Sequence, residues 1–298
     1  LRLSGQGLMS HTASTSIARY FDKRRGKALS IIWLGLSTAE FLLPILIAIC
    51  LSIFYWRYIW IGISIVTILI LPFFSYTTVK DIKFSSRDKS FNFKKNSLIK
   101  SWKLKEVLFD FKFYTMLPAI IAPAALMTGI FVFQSFISES KGWGEYVIPS
   151  SFMIYSSVSV ASLFFGGFLV DKFTSAKILP YMNIPLLLGA IILFFFNHYY
   201  FAFVVMFFIG ITNGFSNILL SSIWAEIYGV RYLGSIRALG TSIMVFSSAI
   251  GTAVYGVLID SGYSIEKISF LSGIYIVLSI SITFIFQKTY KPVLKNKT

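Results

Sequence analysis

The sequence is poor in the residues that most chemistry needs. It has one cysteine, Cys50, and two histidines, His11 and His198, in 298 residues. A single thiol excludes an internal disulfide, and two distant imidazoles form no metal-ligand cluster. No Gly-rich phosphate loop and no nucleophile–base motif is present, so neither a cofactor nor a metal is expected and an enzyme is disfavoured. Charged residues make up 13% of the chain, and only 12 of them are acidic against 27 basic. Long polar stretches are also scarce. What fills the chain instead is apolar sequence, in nine runs at roughly 1–18, 28–53, 58–76, 113–137, 148–170, 178–196, 201–224, 236–259 and 268–287. A bilayer core of about 30 Å requires about 20 apolar helical residues, and most runs meet that length. They show no period-two alternation, so helices are expected and barrel strands are not. The expected fold class is all-α, a polytopic transmembrane helical protein.

The excess positive charge follows a pattern that sets orientation. Of the 27 Lys and Arg residues, 23 lie on alternate connections: Arg19 to Lys27, Lys80 to Lys112, Lys172 and Lys177, Arg231 and Arg237, and Lys288 to Lys297. The intervening connections hold only Arg57, Lys141 and Lys267, while Arg2 lies inside the first run. The positive-inside rule assigns the first class to the cytoplasm. The expected localisation is the plasma or inner membrane, multi-pass, with a cytoplasmic C-terminus. A net charge of +15 would also suit nucleic-acid binding, but its distribution over short loops is that of membrane topology. The expected partners are a small-molecule substrate and the lipid bilayer, without nucleic acid and without an evident obligate protein partner.

One long polar stretch, residues 77–112, separates three runs from six. The organisation expected is 1–76 as a three-span unit, 77–112 as a cytoplasmic central loop, 113–287 as a six-helix bundle and 288–298 as a cytoplasmic tail. Between Leu98 and Phe111 the apolar spacing allows a short amphipathic helix with a lysine-rich face, which would lie on an anionic leaflet; a disordered basic loop is the alternative. A local repeat relates the two parts. Ala18, Phe21, Arg24 and Gly26 after the first run match Ala225, Tyr228, Arg231 and Gly234 after the seventh. Matching runs one to three with seven to nine leaves the first part three spans short. The expectation is a parent protein of twelve spans whose first three are missing.

At this point the chain resembles a transporter of the major facilitator superfamily from its fourth helix onward. Gly166-Gly167-Phe168-Leu169-Val170-Asp171-Lys172, followed by Lys177, is similar to the superfamily's Gly-x-Leu-x-Asp-Arg loop, with Lys172 in the Arg place. Arg2-Leu3-Ser4-Gly5-Gln6-Gly7 is similar to the Arg-and-Gly motif of the fourth helix. Gly35 and Pro44 resemble the Gly/Pro pattern of the fifth, with Glu40 as a departure. The stretch Arg24 to Leu29, and Ala225 to Gly234, resemble the oxalate/formate antiporter and monocarboxylate porter branch. The resemblance implies a secondary transporter of two six-helix halves that binds a solute near the midplane and exposes it alternately to each side.

The residues that could carry this work are few. An ionisable group in the bilayer core costs on the order of 2.5–3.5 kcal/mol on insertion scales unless it is paired or faces water. Glu40 lies about 18 Å from the start of its helix at Ala28, and Arg2 about 24 Å from Ala18 on the preceding antiparallel run. An Arg2–Glu40 pair is therefore within reach. Glu40 would bind a coupling proton and Arg2 an anionic group, or the two would simply lock two helices. Gln6, Gln134, Asn213 and Asn217 are further substrate or coupling candidates, with helix-to-helix hydrogen bonding as the structural alternative. Gly210 and Gly214 form a small-xxx-small step suited to close packing. By the resemblance, Gly167, Asp171, Lys172, Glu226, Arg231 and Arg237 are candidates for a gate at the cytoplasmic edge, built from weak exposed pairs that can break in each cycle. The substrate expected is a small organic anion such as a monocarboxylate, moved by proton symport or anion exchange. The alternative is a neutral or amphipathic compound, and the remote one a membrane-embedded enzyme or scaffold.

Overall fold

The computed structural model describes residues 25–79, 100–229 and 231–291. The first apolar run, with Arg2, Gln6 and His11, lies outside the described residues, as does most of the central loop. Among the described residues eight helical segments are long and apolar enough to cross a membrane. The protein is an all-helical polytopic membrane protein. Two helices precede the loop, α1 (Arg25–Ile53) and α2 (Trp56–Val79). A short helix α3 (Leu104–Leu108) leads into α4 (Phe111–Val132), followed by α5 (Gln134–Ser140), α6 (Val147–Phe173), α7 (Ser175–Ile178) and α8 (Ile184–Phe195). The last three are α9 (Tyr200–Tyr228), α10 (Leu233–Asp260) and α11 (Ile265–Phe286).

Helix pairs form where small residues let backbones touch. α6 runs closely along α9, and the contact is built on Gly210 and Gly214. A Cβ added at Gly210 would stand 2.7 Å from the Tyr155 carbonyl oxygen, and one at Gly214 would stand 2.7 Å from Ser162 Cβ. On the other side of the bundle α10 packs on α4, where a Cβ at Gly251 would meet Ala125 Cα at 2.6 Å. Lipid tails are as apolar as leucine, so association in a membrane relies on this close packing more than on water exclusion. α8 and α11 pack on each other and flank the two pairs, α8 against α9 and α11 against α4. α1 lies along α6, the principal contact between the part before the loop and the part after it.

Two apolar runs are broken where the sequence suggested single spans. α4 ends at Phe133, whose backbone leaves the helical region (φ −99°, ψ 25°), and α5 restarts at Gln134. The span 178–196 instead begins with α7, passes through a 3-10 turn at Leu179–Tyr181 and resumes in α8. Asn183 stands in that interruption, buried, and its side-chain N–H group donates to the Ala119 carbonyl at 3.0 Å. Pro123 has no N–H to offer the carbonyl four residues before it, which is that of Ala119. Asn183 thus supplies the partner that the proline removes, and couples the interruption before α8 to α4.

The amphipathic helix expected between Leu98 and Phe111 is shortened to α3 and is docked on protein. Val107 is fully buried among Phe113, Trp224, Tyr228 and Tyr290. The Trp102 backbone N–H donates to the Tyr228 carbonyl at 2.9 Å, and the two rings meet edge to face. The carboxyl of Glu106 is held below its ordinary range by the Lys103 backbone N–H at 2.6 Å and by Lys100 at 3.1 Å. Phe109 remains 91% exposed, so the outward side keeps a surface that can meet lipid headgroups while the inward side anchors the loop.

The α6–α9 contact yields a direct test. Gly214→Ala should destabilise the protein by about 1–3 kcal/mol, the cost of overpacking a filled contact, seen as a lower unfolding temperature in detergent. Gly62→Ala, with no atom within 4 Å of the added Cβ, should cause no loss. Equal behaviour of the two variants would contradict the packing described.

Candidate functional site

The candidates gather at two levels. The first is the contact of α1 with α6. Glu40 is half-buried on α1, about four turns beyond the basic start of the helix and one turn before Pro44. Its carboxylate lies within electrostatic reach of the Tyr155 hydroxyl group on α6. Tyr155 is itself buried, with the Phe131 and Phe152 rings at 5.3 Å and 5.7 Å from its own. One turn along α6, Ser159 accepts a hydrogen bond from the Asn213 side-chain amide at 2.8 Å. Asn213 is thereby used between helices, whereas Asn217, one turn further on, is exposed. The carbonyl oxygen of Gln134 is buried at the restart of α5 without a hydrogen-bond partner. In the membrane such an oxygen calls for a donor from water or solute.

The second level is the basic end of the bundle, where α6 passes into α7. Glu226, in the last turn of α9, accepts hydrogen bonds from the Ser175 N–H at 2.9 Å and 3.0 Å, from the Ser175 hydroxyl at 2.9 Å and from the Ala176 N–H at 3.3 Å. Ser175 also bonds Ser222. The carboxylate therefore satisfies the free N–H groups that open a helix, at the end where its dipole favours negative charge. Gly167 has open space around it. Asp171 sits in the last turn of α6, and its side chain lies outside the described residues. Lys172 is exposed, with its ammonium 5.2 Å from the Phe173 ring centroid. Arg231 is likewise exposed, with its guanidinium 5.5 Å from the Tyr232 ring centroid. Arg237 lies in the second turn of α10 and is exposed.

The sequence reading did not single out Tyr155, Ser175 or Lys141. Tyr155 and Ser175 are one aromatic and one hydroxyl among many, and only their neighbours distinguish them. Lys141 stood among the sparse charges of the opposite end, yet its side chain is fully buried there. Its ammonium donates to Glu266 Oε1 at 2.7 Å and Asn197 Oδ1 at 2.6 Å, and the Trp143 indole donates to the Asn197 carbonyl at 2.6 Å. A lysine in a Lys-Gly-Trp-Gly turn and a glutamate opening a later apolar run were the available signals.

Thr174, between α6 and α7, holds φ 70° and ψ 147°, a region that essentially only glycine occupies without strain. Its side chain makes no capping hydrogen bond. Thr174→Gly should relieve about 1–3 kcal/mol of backbone strain against about 0.5–1 kcal/mol of added chain entropy. A higher unfolding temperature in detergent is the expected result, and a lower one would contradict the strained conformation.

A lattice of helix pairs, a half-buried carboxyl where two parts meet and an unpartnered amide oxygen within a span suit a protein that carries a solute across a membrane. No curated protein matches the chain. The family model described as Major Facilitator Superfamily matches residues 4–254, and the chain belongs to that superfamily of secondary transporters of small solutes.

Proposed function

We propose that this transporter moves a small organic anion, such as a monocarboxylate, by alternating access driven by proton symport or anion exchange. In this reading residues 1–76 are the second half of one six-helix bundle, 77–112 the central loop and 113–287 the other bundle. The basic end and the tail 288–298 face the cytoplasm of a cell lying within its plasma or inner membrane. The observation that carries the proposal is Glu40. It is a titratable side chain, half-buried on α1, the helix that lies along α6, where one proposed bundle meets the other. A proton bound there changes the charge at the contact that has to rearrange when the bundles rock. Arg2 within the first apolar run and the branch-like stretches Arg24 to Leu29 and Ala225 to Gly234 support an anionic substrate.

Gln134, Asn213 and Asn217 are the proposed polar contacts of the solute, together with Arg2 and Gln6. Glu226 with Gly167, Asp171, Lys172, Arg231 and Arg237 forms the proposed gate at the basic end, where its grip on Ser175 and Ala176 would be remade in each cycle. The rings of Phe131, Phe152 and Tyr155 near Glu40 favour a second reading, a neutral or amphipathic compound.

Counterflow of labelled lactate, formate or oxalate into proteoliposomes separates the readings. Carboxylate exchange is expected; its absence, with transport of amphipathic compounds, would establish the second. For a proton-coupled monoanion the limit of accumulation is about tenfold per unit of pH gradient. Glu40→Gln should retain expression and counterflow but lose this gradient-driven accumulation. Accumulation unchanged in that variant would remove the coupling role.

A further inference from the structure

A cavity of about 1190 Å³ opens at the basic end, between α6, α9, the interrupted segment α7–α8 and the turn after α11. None of Glu40, Tyr155, Gln134 and Asn213 lines it, so it is separate from the α1–α6 contact. Its volume exceeds the range of about 300–1,000 Å³ usual for small-molecule pockets.

Its chemistry is graded along the membrane normal. Lys177, Lys288 and Lys291 stand on its rim and are exposed. They lie at or beyond the ends of the apolar stretches, at the depth of headgroups. The Gln287 amide donates to the Lys177 carbonyl at 2.7 Å, and the Lys112 ammonium to the Lys291 carbonyl at 3.2 Å, so the rim is tied to α7 and α4. Among the described residues none of the three rim lysines forms an ion pair. Below them the walls are apolar: Leu169, Phe173, Tyr181, Pro185 and Phe215. Phe215 lies about 20 Å of helix from the end of α9 at Tyr228, by a rise of about 1.5 Å per residue. Glu226 also borders the cavity, with its oxygens engaged by Ser175 and Ala176. The adjoining outer surface, with Phe284 and Ile285 exposed and Tyr181 packed on Phe284, is the kind that lipid covers.

We propose that this cavity binds an anionic phospholipid of the adjacent leaflet, its phosphate among Lys177, Lys288 and Lys291 and an acyl chain against Phe173, Tyr181 and Phe215. Three cations over an apolar cleft match one negative headgroup over a hydrocarbon tail, and basic pockets between helices are where such headgroups settle. A water-soluble anion would leave the lower walls unfilled, and a zwitterionic lipid would leave the cations uncompensated. Because Thr174 and Glu226 line the site, its occupant also bears on the α6–α7 turn.

The test uses the full chain in phosphatidylcholine nanodiscs with and without phosphatidylglycerol, read by native mass spectrometry of retained lipid. The wild type should retain phosphatidylglycerol in preference to phosphatidylcholine. The triple variant Lys177→Gln, Lys288→Gln, Lys291→Gln should bind it about a hundredfold more weakly, the combined effect of three basic residues at a headgroup. A control with equal charge loss elsewhere, Lys103→Gln, Lys105→Gln, Lys267→Gln, should retain it. Ala176→Trp, which fills the cavity and keeps every lysine, should also expel it. Equal loss in the control would reduce the effect to surface charge and overturn the site. Retention in the rim variant, or displacement of the lipid by soluble glycerol phosphate at equal concentration, would overturn it as well.

Discussion

A backbone inside hydrocarbon must find every hydrogen bond within the protein, and this constraint governs where the helices of this transporter can break. An uninterrupted helix meets the demand alone. A proline does not, and α4 contains two, Pro118 and Pro123. The Ala119 carbonyl that Pro123 leaves open takes the Asn183 amide, and the Pro118 carbonyl accepts the Tyr275 hydroxyl at 3.2 Å. The irregular stretch before α8 is itself held in place by the same Asn183. Two local defects, one in α4 and one between α7 and α8, therefore complete each other, and α11 joins them through Tyr275.

Close contacts extend this logic to whole helices. With Gly210 and Gly214 against α6, and Gly251 against α4, the pairs approach until backbone meets backbone. Such contacts do not slide in small steps, because any displacement drives atoms into overlap. Motion between helices is thereby directed to interfaces that lack them. The α1–α6 contact is one: among the described residues no glycine of either helix makes such an approach to the other. It is also where Glu40 sits.

The same contrast explains what could be read from the chain. Spans, the fold class and the family-like loops were legible because they depend on residue type and order: apolar length, alternating lysine and a Gly-x-Leu-x-Asp run. Gly210 and Gly214 were legible as a packing step because their spacing is that of a helix face. The breaks were not. Gln134 and Asn183 lie in sequence as apolar as any other, and the interruption of a helix depends on a partner far along the chain. Lys141 was passed over for a related reason. Its position in a turn is that of a topological charge, and its burial arises from Asn197 and Glu266, 56 and 125 residues away. The segment from Leu98 to Phe111 showed its amphipathic pattern, but pattern alone did not say that Val107 would meet Tyr228 rather than lipid.

The charged groups of the part after the loop differ in kind from Glu40. Lys141, Glu266 and Asn197 join the turns before α6, before α9 and before α11, all within one proposed bundle. A buried ammonium with two oxygen partners is costly to separate, because an unpaired charge would remain in a dry site. The cluster therefore makes that bundle a single body and has no need to open. Glu226 likewise acts within the bundle, from α9 to α7, through hydrogen bonds from neutral groups of Ser175 and Ala176. Glu40 alone among these carboxylates faces a different part of the chain. In a transporter whose halves rock as bodies, a proton that acts on the cycle has to be held where the bodies touch, which is the ground for the coupling role proposed for Glu40, whereas Glu266 joins turns within one body.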